Sequence, residues 1–164
     1  MVENKEGKET GSIDEKLDQL LNEIDSFAEK IFDRLSHPSI ISDIHALKLC
    51  MLEAKNLMHY LTPELEKDVK LTLETTCSMI SHVGKLREKL DNAVMNMLSK
   101  VGNKDRTLAQ WVTDMKIDSG NLLDGILSHA IETLKTFAKE SGVSSYSLSI
   151  GYYELYATLN FNIA

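Results

Sequence analysis

Apolar residues return at gaps of three and four along most of the first 140 positions, the period with which an α-helix buries one face. Ile13, Leu17, Leu20, Ile24, Phe27, Ile31 and Leu35 form the first stripe, with Asp, Glu, Lys and Asn between them. In front of it, Ser12-Ile13-Asp14-Glu15 has the spacing of a capping box. There the serine hydroxyl and the glutamate carboxylate satisfy N–H groups that a first turn leaves free. Pro38 closes the stripe, because it pushes His37 away from helical geometry. With only two prolines and eight glycines, the chain has little else with which to interrupt a helix.

The second stripe, Ile40, Ile44, Leu47, Met51, Ala54, Met58 and Leu61, is the most regular. Ile44, Leu47, Met51 and Ala54 are its expected core. The other faces of this segment carry Ile41, Leu49, Cys50, Leu52 and Leu57 against only four charges, Asp43, Lys48, Glu53 and Lys55. A helix apolar most of the way round must be covered most of the way round, by its own bundle or by another chain. Ile41, Leu49 and Leu52 are therefore candidate contact residues.

Thr62-Pro63 has the residues of an N-cap followed by a first helical position. The stripe that follows runs through Val69, Leu73, Ile80, Val83, Leu90, Val94, Met97 and Val101, with Gly84 as the natural place for a kink. Gly102-Asn103 supplies a left-handed stop. Leu108, Val112, Met115, Leu122, Ile126, Ile131, Leu134 and Phe137 make a fourth stripe, and Asp118-Ser119-Gly120-Asn121, all weak helix formers, is a candidate break in it.

After Gly142 the period changes to two. Tyr146, Leu148, Ile150 and Tyr152 alternate with small residues, then Tyr153, Leu155, Ala157, Leu159, Phe161 and Ile163 alternate with mostly polar ones. The change of phase at Tyr152-Tyr153 predicts a bulge or tight turn near Gly151. A helix over 152–159 is the competing reading. The expected fold is thus mainly α, a bundle of about four long helical segments near 12–36, 39–61, 63–101 and 105–140 with a short C-terminal β hairpin or strand. Residues 1–11 read as a flexible polar tail, 12–142 as the bundle, and 143–164 as a β segment packed on the bundle or on a second copy.

Motifs that carry chemistry are missing. A di-iron bundle needs Glu-x-x-His pairs on inward faces, and none of the five histidines has Glu three residues before it. His129 with Glu132 has the reverse spacing and no sister motif. Zinc-ligand spacings, phosphate-binding glycine loops and Gly-x-Ser-x-Gly are absent as well. Arg34-Leu35-Ser36-His37 places a cation and a base near each other at a helix end, as some helical nucleases do, but His37, before Pro38, is more simply a loop residue. Cys50 and Cys77 lie in helical patterns with no activating cation beside them, so they are expected to be reduced, buried thiols. No catalytic residue, metal or cofactor is expected.

The net charge of −7 disfavours a nucleic-acid partner, because an acidic surface repels a phosphate backbone. The densest basic run, Lys85, Arg87 and Lys89, is interleaved with Glu88 and Asp91 and reads as a mixed-charge helix face. The polar start lacks the pattern of a secretory signal, and no apolar run is long enough to span a bilayer. A cytoplasmic protein that does not insert in membranes is expected. The functional expectation is a non-enzymatic structural or protein-interaction module, partnering itself as a homodimer or higher oligomer, or another protein. It would use apolar helix faces and the C-terminal strand, with Tyr153, Leu155, Leu159 and Phe161 at or near the contact. The alternatives are a small-molecule binder or motif-less enzyme with a pocket between helices and, against the charge, a nucleic-acid-associated protein.

Overall fold

The stripes become four α-helices in the computed structural model of the chain, which describes residues 5–34, 38–59, 69–101, 104–140, 143–150 and 154–161. They are α1 (Lys5–Arg34), α2 (Ile41–His59, entered through a 3-10 turn at Pro38–Ile40), α3 (Val69–Val101) and α4 (Arg106–Glu140). Asp105 starts α4 as a side-chain cap: its Oδ1 accepts from the Leu108 N–H at 3.0 Å, one of the donors a first turn leaves without an intrahelical partner. Leu61, Thr62 and Pro63, where the second helix was expected to end and the third to begin, lie outside the described residues.

Two sequence expectations change. α1 begins at Lys5, so most of the expected tail over 1–11 is helical and Ser12 is not its N-cap. α4 runs unbroken through Asp118-Ser119-Gly120-Asn121. The reason is the same in both places. Gly costs a helix only about 1 kcal/mol relative to Ala, whereas a break needs proline's lost donor and ring clash.

The helices form a ring of antiparallel neighbours, as their side-chain pairs show. Between α1 and α2, Asp18 meets Lys55 and Asp25 meets Lys48, each at 2.6 Å. Numbers rising on one helix meet numbers falling on the other. Between α2 and α3, Lys100 Nζ donates to Asp43 Oδ2 at 2.8 Å and to the Ser39 carbonyl at 3.0 Å, and Cys50 Sγ donates to the Leu86 carbonyl at 3.2 Å. Arg87 of α3 pairs with Asp124 of α4. The ring closes between α1 and α4, where Phe27 stacks on Trp111 with centroids 3.4 Å apart and Ile13 packs against Gly125. Sequence neighbours are spatial neighbours throughout, the up-down-up-down order that suits antiparallel bundles.

Inside the ring lies one apolar cluster. Ile44 is 1% exposed, and Leu47, Met51 and Ala54 are fully buried, as expected from the stripe. Leu17 and Ile24 of α1, Val83, Leu86 and Met97 of α3, and Val112, Leu123, Ile126 and Leu134 of α4 meet them. Fully burying such a side chain stabilises by about 1.5–3 kcal/mol, which makes this cluster the main support of the fold.

The backbone of the C-terminal segment is described as β1 (Val143–Ile150) and β2 (Leu155–Phe161), an antiparallel two-stranded sheet with Ile150 opposite Leu155 and Val143 opposite Phe161. β2 lies along α3, and β1 touches α4. The register shifts between Val143 and Ser145. The expected turn near Gly151 falls outside the described residues.

Candidate interaction surface

What α2 shows to solvent follows from what its other faces touch. Ile44, Leu47, Met51, Ala54 and Met58 are buried in the bundle. Lys48 and Lys55 lean toward α1, where aspartates neutralise them. Asp43, Cys50 and Glu53 lean toward α3: Asp43 meets Lys100, and Glu53 Oε2 lies 3.4 Å from both Lys89 Nζ and His82 Nε2. Every charged side chain of α2 is thereby turned sideways. The stripe left facing outward is Ser42, His45, Leu49, Leu52, Asn56 and His59, all exposed. None carries a formal charge unless a histidine takes up a proton.

Of the residues singled out from sequence, Leu49 and Leu52 stand on this stripe, 60% and 38% exposed, and Ile41 is half-buried at its edge. Leu49 and Leu52 are three apart in a helix and so share a face. Leu155 is a correction. It is 1% exposed, and its carbonyl accepts a hydrogen bond from the Ser81 hydroxyl of α3 at 3.0 Å. Its side chain is used inside its own chain, because β2 lies against α3, and is not presented to a second one. Leu159 and Phe161 belong to β2, and Tyr153 lies outside the described residues.

Met95 and Ile117, 65% and 55% exposed, are apolar surface residues that the stripes did not flag. Among the described residues, each is the one large apolar side chain that its helix exposes. Single exposed apolar side chains are ordinary on proteins, and no sequence signal separates them from core residues out of phase.

The groups considered for chemistry sit in settings that quiet them. Burial, with Glu53 adding to it, pushes the Cys50 thiol up to about 12, and burial also raises Cys77. A thiol held protonated is a poor nucleophile and a poor ligand. Glu132 pairs with Lys135 at 3.8 Å, while the Thr133 hydroxyl donates to the His129 carbonyl at 2.9 Å. Among the described residues no group of three or more His, Cys, Asp or Glu is placed to hold a metal ion. His37 lies outside them. Of the basic run, Arg87 pairs with Asp124 of α4 and Lys89 lies beside Glu53 of α2, while Lys85 is exposed. No described helix is long and apolar enough to cross a membrane. Compared with known proteins, the chain matches no family model, no curated protein and no solved structure.

Proposed function

We propose that the protein is a non-enzymatic interaction module, a helical scaffold that associates with itself or docks another protein through the outer face of α2 and the edges of its C-terminal hairpin. The observation that carries this reading is the charge-free stripe with Leu49 and Leu52 at its middle. Helices that face only water ordinarily present Lys, Glu and Asp, and α1 does so with Glu15, Lys16, Asp18, Glu23, Asp25 and Glu29, all exposed. On α2 the charges that could have kept the outer face wet are turned to the seams instead. The hairpin adds a second element. A two-stranded sheet leaves N–H and C=O groups on its outer edges available to a further strand. The cytoplasm suits this reading, because Cys50 and Cys77 are free thiols that a reducing compartment preserves.

Light scattering on the full chain from about 1 to about 500 µM tests self-association, a span that covers weak specific contacts. A rise from monomer to dimer mass is expected. Monomer throughout would remove self-association from the reading.

A further inference from the structure

We infer that the C-terminal hairpin is a strap: it opens from α3 while the four-helix bundle stays folded, and its opening uncovers Cys77. The inference concerns contacts within one chain and does not depend on the interaction reading above.

The helices close their ring without the hairpin. Lys48 with Asp25, Cys50 with the Leu86 carbonyl, Arg87 with Asp124 and Phe27 on Trp111 all join helix to helix. The hairpin follows the ring in the chain and is added to it along α3 and α4. Among the described residues its attachment is concentrated at one position. Leu155 is 1% exposed and belongs to the apolar cluster, and its carbonyl accepts from the Ser81 hydroxyl at 3.0 Å. Glu154 beside it is exposed. A two-stranded sheet is marginal by itself in water, so its hold on α3 decides whether the hairpin stays in place. An element held at so few points opens before the core that it leans on.

The course of β2 brings it over Cys77. α4 is antiparallel to α3, so the end of α4 at Glu140 lies beside the start of α3 at Val69. Val143 follows closely on that end and pairs with Phe161. β2 therefore runs from Leu155, held at Ser81, back toward Val69. Cys77 lies on this path, one turn before Ser81 and on the same face of α3. It is half-buried, and burial, with Glu74 adding to it, raises its thiol above the ordinary value. Both fit a thiol shielded by a neighbouring strand. Cys50 is different: it is 2% exposed, inside the bundle, and donates to Leu86 across the α2–α3 seam. The two thiols thus report two openings, Cys77 that of the strap and Cys50 that of the bundle.

The test is the rate at which iodoacetamide alkylates each thiol in the full chain, at one pH and without denaturant. Cys50→Ala and Cys77→Ala provide two backgrounds with one thiol apiece. Each is combined with Leu155→Ala, which loosens the strap, or with Ile24→Val, which loosens the bundle at α1, a helix apart from the strap's hold on α3. Ile24→Val removes one methylene from the core, a change mild enough to keep the fold. It should speed alkylation of Cys50 roughly three- to tenfold, because that thiol waits for the bundle to unfold, and leave the rate at Cys77 unchanged. Leu155→Ala should speed Cys77 at least roughly tenfold. That pattern would establish a strap that opens by itself. If Ile24→Val speeds both thiols by the same factor, Cys77 is uncovered only when the whole bundle unfolds, and the strap is overturned. A Cys77 rate unmoved by Leu155→Ala would show that β2 does not cover this thiol, which overturns the proposal equally.

Discussion

The Cys50 thiol donates to the main-chain carbonyl of Leu86 across the α2–α3 seam, with Sγ and oxygen 3.2 Å apart. The carbonyl belongs to a helix and faces a buried sulfur, so the proton holds both groups in place. Its loss would leave a thiolate in the core against a carbonyl oxygen.

That relationship has a pH signature. An exposed thiol titrates near about 8.5, while Cys50 is pushed up to about 12 by burial. Above the unfolded value the unfolded chain gives up this proton and the native chain keeps it. The contribution of Cys50 is therefore complete below that pH and is lost as pH rises toward the folded value. Urea titrations at pH 7 and pH 10.5 should show the wild type losing roughly 2–3 kcal/mol more between them than Cys50→Ala, since other titrating groups are common to both. Parallel losses in the two proteins would sink the idea.

Phe27 and Trp111 close the ring between α1 and α4, and Trp111 is the chain's one tryptophan. Its fluorescence therefore reports this seam. Phe27→Ala should shift the folded-state emission to the red and cost about 1–3 kcal/mol, counting the aromatic pair and the half-buried ring. An unchanged emission maximum would mean that the two rings do not stack in solution.

The middle of α4 carries two removable weaknesses. Ser119 is fully buried, and its Oγ has no hydrogen-bond partner among the described residues. A Cβ placed on Gly120 would meet nothing within 4 Å. Ser119→Ala should stabilise by about 1 kcal/mol by removing an unsatisfied hydroxyl, and Gly120→Ala by about 0.5–1 kcal/mol through helix propensity. Gly125→Ala should gain less, since its Cβ would come 3.2 Å from Ile13 Cδ1. Thermal melts of the three variants give the ranking, and a destabilised Ser119→Ala would show that the hydroxyl does have a partner.

Removing residues 144–164 takes Leu155 out of the core and leaves the Ser81 hydroxyl without its acceptor. A loss of about 1.5–3 kcal/mol is expected from that leucine alone, with the helical signal largely kept. If the denaturation midpoint stays where it was, β2 does not pack on α3.

Sequence alone determined the helices and their inward faces. A stripe such as Ile44, Leu47, Met51 and Ala54 is a local property, because 3.6 residues per turn decide which side chains share a face wherever the helix lies. It did not locate α1's start or the continuity of α4 through Ser119 and Gly120, since a weak helix former inside a packed bundle is overruled by burial from outside its own segment. Nor could it separate Leu49 from Leu57. Both are leucines in one helix, yet one is 60% exposed and the other 4%. That distinction arises because α1 and α3 approach α2 from two sides, drawing Lys48 and Lys55 one way and Glu53 the other. Only the tertiary structure decides which face those neighbours leave open, and here it is the face without charge.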